Sequence, residues 1–315
     1  MLPEQTPVQT FTRVLEAVVQ LLDVETPDIV LVQGDTCTAA AAALAAFYRI
    51  PVGHVEAGLR TTNIQSPFPE EMNRRLISVV TKMHFAPTPR AAVALLRAGV
   101  PHDRIWVTGN TAIDALLVTA AAPVPAAARE MLLKNGLFNE KRRLLLVTAH
   151  RRENFGDPLK QICQALRQII AGFPQVMIIF PVHLNPEVRR IVFSILSTQP
   201  RIVLTEPLAY DVLLHLMRQA HILLTDSGGL QEEAPALGKP VLIMRTESKR
   251  PEVIEAGAAK LVGVDAAAIV QAVEELLTNE SLYNRMAQPV FPYGKGDAAV
   301  KIADCLQAFV PAFQK

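Results

Sequence analysis

Short runs of consecutive apolar residues, rich in valine, isoleucine and leucine, alternate along this chain with longer stretches whose apolar positions recur every three or four residues. The short runs read as strands and the longer ones as helices. DIVLVQG (28–34), IPVGHVE (50–56), KMHFAPT (82–88) and RIWVTGN (104–110) form a first series. RLLLVTAH (143–150), VMIIFPVH (176–183), RIVLTEP (201–207), HILLTDS (221–227), KPVLIMR (239–245) and KLVGV (260–264) form a second. Strands apolar on both faces predict parallel sheets covered by helices on each side, an α/β class. The Ala/Pro segment VTAAAPVPAAARE (118–130) separates the two series and predicts a boundary there. Before the first strand, TPVQTFTRVLEAVVQLLD (6–23) has helical spacing. A βα domain ordinarily opens on a strand, so the first domain is expected to be incomplete, with an upstream piece missing; an N-terminal helix capping a small sheet is the competing reading.

Composition narrows the partner. The chain has 315 residues, 31 basic against 30 acidic, for a net charge of +1. No electrostatic footprint for nucleic acid or an anionic membrane surface results, so a small-molecule partner is expected. Cys37, Cys163 and Cys305 form no paired motif, which fits free, mostly buried thiols in a cytoplasmic protein. The most apolar run, AAAAALAAFY (39–48), falls short of the roughly 18 residues a membrane span needs. No metal-ligand spacing occurs, and neither a metal nor a cofactor is expected.

Candidate chemistry gathers where strands end. In HILLTDSGGLQEEAPALGKPVLIMR (221–245), Ser227, Gly228 and Gly229 open a helix after a strand. Its free N–H groups and dipole can meet a phosphate, and of Glu232 and Glu233 one can cap while the other accepts from ribose hydroxyls; a plain tight turn is the competing reading. His150 follows another strand, with Arg151 beside it, and can donate to a departing diphosphate or serve as an ordinary structural histidine. His183 repeats that placement. Asp35, Glu56 and Glu70 follow the ends of successive strands of the first series. Adjacent parallel strands bring such loops together, which gives carboxylates for acid and base work. Asp35 can instead cap the next helix, and Glu71 can pair with Arg74 or Arg75.

The segments GDTCTA, IPVGHVEAGLRT, SPFPEEMNRR, VTGNTAIDAL, VTAHRRENFG, PVHLNPEV and LTDSGGLQEEAPALGKPVL occur in this order. Together they resemble the bacterial non-hydrolysing UDP-N-acetylglucosamine 2-epimerases, in an N-terminally shortened form. The resemblance implies two Rossmann-like domains facing a central cleft (GT-B type), the first lacking its N-terminal strands. Residues 1–112, with 300–315 as a C-terminal helix packing back, would form the first domain, and 113–299 the UDP-binding one. It further implies conversion of UDP-N-acetylglucosamine to UDP-N-acetylmannosamine, through anti elimination of UDP to 2-acetamidoglucal and syn re-addition. By position, Asp35, Glu56 and Glu70 resemble the acid/base carboxylates and His150 the histidine on the phosphate side. Arg151, Ser227, Gly228, Gly229 and Glu233 resemble UDP contacts, while Arg60 and His183 fall in segments resembling a regulatory site. A homodimer is also implied. Lys249 stands where the family usually has Glu. A glycosyltransferase using a UDP-sugar and a catalytically impaired UDP-sugar-binding remnant remain as alternatives.

Overall fold

The computed structural model describes residues 6–61, 63–65, 68–137, 142–248 and 250–309. The chain forms two compact units, Met1–Asp114 with Tyr293–Lys315, and Ala115–Pro292.

Unit 1 runs α1 (Pro7–Glu25), β1 (Val30–Gln33), α2 (Cys37–Ala46), β2 (Val52–Val55), α3 (Glu70–Val80), β3 (Met83–Ala86), α4 (Pro89–Arg97) and β4 (Ile105–Val107). The four strands pair in parallel in the order β1-β2-β3-β4. The expected opening helix is α1. Thr6 accepts from the Gln9 N–H while the Gln9 side chain returns to the Thr6 N–H, and Pro7 occupies the first turn, which together satisfy the free end of the helix. Phe11, Leu15, Val18 and Leu22 on α1 pack against Ala39, Ala40 and Ala43 on α2. The small alanines let the two backbones approach closely. β2 and β3 are buried throughout, whereas β1 lies at the sheet edge with Leu31 45% exposed.

The chain continues through α5 (Thr111–Ala121) and α6 (Ala126–Lys134), then β5 (Arg143–Thr148), α7 (Asp157–Gly172), β6 (Val176–Pro181), α8 (Pro186–Leu196), β7 (Ile202–Thr205) and α9 (Tyr210–Gln219). There follow β8 (Ile222–Thr225), α10 (Gly228–Ala236), β9 (Val241–Ile243), α11 (Pro251–Glu255), β10 (Ala259–Leu261), α12 (Ala266–Thr278) and α13 (Glu280–Met286). All six strands of the second series form one parallel sheet, ordered β10-β9-β8-β5-β6-β7. From β5 the chain winds outward through β6 and β7, then returns to lay β8 on the other side of β5. The loops after β5 and β8 therefore part in opposite directions, the place where an open α/β sheet offers a crevice to a ligand. One core of leucine, isoleucine and valine from β5, β6, β8, α7 and α8 backs this sheet.

The last helix, α14 (Ala298–Phe309), belongs to unit 1, where Ile302 packs with Val55, Met83 and Phe85. Its first turn is fixed by a remote cap, since Asp114 accepts from the N–H groups of Ala298 and Ala299 at 3.2 and 2.8 Å. Of the three free thiols, Cys163 alone is fully buried; Cys37 and Cys305 are partly exposed, against the expectation that most are inside. No single helix among the described residues is long and apolar enough to cross a membrane.

Gly58, in the loop after β2, has φ +90, and a Cβ there would run into the Ala91 carbonyl. Gly58→Ala combines a left-handed backbone with a backbone clash, so it should destabilise the chain by about 3 kcal/mol or more. Urea unfolding of the variant beside wild type measures this; a loss below about 1 kcal/mol would contradict it.

Candidate functional site

In unit 1 the three predicted carboxylates occupy the carboxyl end of the sheet. The loops carrying Asp35 and Glu56 are laced together by the Gly34 N–H on the Val55 carbonyl, 3.1 Å, and by the buried His54 ring on the Gly34 carbonyl, 2.8 Å. Gly34 turns at φ +71, and a Cβ there would stand 3.4 Å from a Glu56 carboxylate oxygen. Glu56 itself is held at φ +65, a costly conformation for a side-chain-bearing residue. Glu70 opens α3, and its Oε2 is buried without a hydrogen-bond partner among the described residues.

Asp35 does not cap α2; Thr36 does, accepting from the Ala39 N–H. Instead Asp35 takes both Nε and Nη2 of buried Arg74 on Oδ2, at 2.9 and 2.6 Å. Asn73 donates to the Asp35 carbonyl at 2.9 Å. Glu71 is consumed structurally. Its oxygens accept from Arg74, Arg75 and the Thr61 N–H at 2.7, 3.1 and 3.1 Å. Arg60 of this unit lines a cavity with Arg75, Arg97 and Arg104.

In unit 2 a cavity of about 310 Å³ sits at the reversal between β5 and β8. His150, His183, Ser227, Gly229 and Glu233, all singled out from sequence, line it. Ser227 stands at the N-terminus of α10 and makes no capping bond with its side chain, which leaves the hydroxyl available beside the helix N–H groups. A Cβ on Gly229 would meet nothing within 4 Å, whereas one on Gly228 would lie 2.8 Å from the Arg250 guanidinium. Glycine at 228 thus lets Arg250 lie across the start of α10. Arg250 is held there by buried Glu232, 2.6 Å away.

Sequence reading missed the organiser of this site, Asp226. It is fully buried and accepts from the backbone N–H groups of His150 and Arg151, at 3.0 and 2.9 Å, and from the Asn154 amide at 2.9 Å. His150 Nδ1 lies 3.2 Å from its Oδ1, so the carboxylate fixes the ring as well as the loop. Burial lowers the His150 pKa; Asp226 opposes this, while Arg151, His183 and Arg245 reinforce it. The His183 ring stacks on His150 with centroids 6.0 Å apart. Tyr210 also lines the cavity and hydrogen-bonds Glu233. The visible signals were Asp226 at the head of DSGG and Asn154 four residues past His150, but only burial gives them roles. Lys249 lies outside the described residues.

A helix start at a strand reversal, with an anchored histidine lining the same cavity, marks a Rossmann-like α/β protein of the GT-B type. The match to known proteins is specific. The UDP-N-acetylglucosamine 2-epimerase family model spans residues 2–307, and the chain belongs to that family. It is 45% identical over 310 residues to UDP-N-acetylglucosamine 2-epimerase of Yersinia pestis, covering 98% of this chain and 82% of that protein. The crystal structure of UDP-GlcNAc 2-epimerase from Neisseria meningitidis bound to UDP-GlcNAc is similar with TM-score 0.93 and 42% identity, over 98% of this chain and 84% of that one. That of the Methanocaldococcus jannaschii enzyme in complex with UDP-GlcNAc and UDP gives 0.81 and 34%, over 97% and 82%.

Glu233 carries a pH signature. Burial, then repulsion from Glu232, raise its pKa to about 7, with Tyr210 acting the other way. The folded chain therefore holds a proton that the unfolded chain loses near pH 4.5, and stability falls as pH rises from there to about 7. Glu233→Gln should remove this loss, gaining up to about 3 kcal/mol on wild type between pH 5 and 8 in urea unfolding. Parallel pH profiles of the two proteins would disprove it.

Proposed function

We propose that this chain epimerises UDP-N-acetylglucosamine at C2 to UDP-N-acetylmannosamine. In this reading unit 2 takes the nucleotide: Ser227, Gly228 and Gly229 at the start of α10 receive phosphate oxygens, and Glu233 accepts from the ribose hydroxyls. His150 and Arg151 stand on the diphosphate side, where charge develops as the C1–O bond breaks. The carboxylates of unit 1 serve the sugar. One of Asp35, Glu56 and Glu70 removes the C2 proton while the C1–O pair leaves with UDP, giving 2-acetamidoglucal. UDP oxygen then returns to C1 as a second carboxylate protonates C2 on the opposite face. No electrons are gained or lost overall, so the reaction needs no redox partner.

The observation that carries this reading is the gathering of Asp35, Glu56 and Glu70 at one end of one sheet, with a Glu70 oxygen buried and unbonded among the described residues. Burying a carboxylate oxygen without a partner costs folding energy that a purely structural acid would avoid. Asp35 is tied to Arg74, and Glu56 and Glu70 suit the proton transfers. A transferase would need an acceptor site and has no use for this trio. Assembly as a homodimer in the cytoplasm belongs to the same reading; sedimentation velocity tests the assembly.

Incubation with UDP-N-acetylglucosamine in deuterated water, followed at C2 by NMR, should show deuterium in both sugars. Glu56→Gln and Glu70→Gln should each slow that exchange by about 10²–10⁴-fold while leaving UDP affinity within about threefold, and Ser227→Ala should mainly weaken UDP, by about tenfold. Equal loss of exchange and UDP binding in the glutamine variants would reverse these roles. Sugar transfer only on adding an acceptor would replace the reading itself.

A further inference from the structure

The cavity beside Arg60 has no part in the chemistry above. It encloses about 740 Å³ between α3, α4 and the connection from α4 to β4. Among the described residues four guanidinium groups line it, Arg60, Arg75, Arg97 and Arg104, and no carboxylate does. That imbalance is unusual in a chain with almost equal acidic and basic residues.

Of the four, only Arg75 is paired with an acid among the described residues, Glu71 at 3.1 Å. Both Glu71 oxygens are already taken by Arg74, Arg75 and the Thr61 N–H, and Asp35 is taken by Arg74. Arg60 is left with neutral partners, the Leu59 carbonyl at 2.9 Å and the Ser78 hydroxyl at 2.7 Å. Burial lowers its pKa; Glu71 opposes this, and Arg74 and Arg75 add to it. Arg97 and Arg104 are exposed and form no ion pair with a carboxylate among the described residues. His84 beneath them is buried, its ring between the Arg104 and Ser78 carbonyls, and burial lowers its pKa to about 4. It is therefore neutral at physiological pH and adds polarity without charge. Val79, Ala94, Val100 and Pro101 supply apolar wall between the cations.

We propose that this cavity binds a small multivalent anion of the phosphate class, with Arg60 as the inner contact and Arg97 and Arg104 closing on it from the rim. The planar fork of arginine matches phosphate oxygens in pairs, and a ligand carrying two or more charges offsets Arg60, Arg97 and Arg104, which lack a carboxylate partner among the described residues, better than a monocarboxylate. The volume suits a phosphate group with or without a compact organic body.

The test is calorimetric titration of the whole chain, with UDP present in excess, using inorganic pyrophosphate and separately phenyl phosphate. Wild type should bind either probe. Arg97→Ala/Arg104→Ala should weaken binding at least about tenfold, with UDP affinity and the thermal midpoint unchanged, and Arg97→Lys/Arg104→Lys should recover part of it. Tighter phenyl phosphate marks an organic phosphate as the occupant, and tighter pyrophosphate an inorganic one. No binding by wild type, or equal binding by wild type and the alanine variant, would overturn the proposal.

Discussion

Parallel strand pairing is the constraint on which both sets of functional residues depend. In a parallel sheet every strand delivers its carboxyl end to the same edge, so residues far apart in sequence reach one place without any long loop. β1 and β2 carry Asp35 and Glu56 in this way, and β5 and β8 carry His150 and Ser227. The loops are then locked to each other by backbone atoms rather than by ligand. The Gly34 N–H on Val55 does this in unit 1, and in unit 2 buried Asp226 gathers two backbone N–H groups and an amide. Side chains placed on strand ends inherit the rigidity of the sheet.

Each unit also contains two consecutive glutamates whose burdens are divided by environment. Glu71 and Glu232 are almost fully buried and satisfied by arginines, Arg74 and Arg75 for the first and Arg250 for the second. Their neighbours are not. Glu70 keeps a buried oxygen unbonded, and burial pushes Glu233 up to about 7. Desolvation of a buried glutamate is offset best when its oxygens are filled, so Glu71 and Glu232 are fixed by their arginines while Glu70 and Glu233 are not. Two similar carboxylates thus acquire different duties through their partners alone.

Much of this was legible in the residues. All ten strands among the described residues fall on or overlap the apolar runs, most clearly β2, β3 and β8, which are buried throughout. The helix after DSGG and the histidine after LLLVTA lie where strand-to-helix turns predicted. Partner choice was less legible. For Asp35 a helix cap stands as the competing reading, yet Arg74 reaches it across 39 positions and Thr36 takes the cap instead. The roles of Asp226 and Asn154 depend on burial, which no local pattern states. The four arginines around the Arg60 cavity are spread from position 60 to 104 and converge only when α3 and α4 have packed on the sheet. Periodicity specifies which face is buried; it does not specify which polar groups meet there.

Glu56 shows most directly where folding and chemistry pull against each other. Its φ of +65 lies in the region glycine occupies cheaply, and glycine does occupy the comparable turn at Gly34, φ +71. The backbone on both sides of Glu56 is committed: the Val55 carbonyl accepts from Gly34, and the Ala57 N–H donates to the Phe85 carbonyl at 3.0 Å. Pairing to β1 on one side and β3 on the other therefore imposes the left-handed turn, whatever residue stands there. A side chain at such a position costs about 1 kcal/mol or more relative to glycine. That cost is retained at the residue whose carboxylate lies against the Gly34 turn.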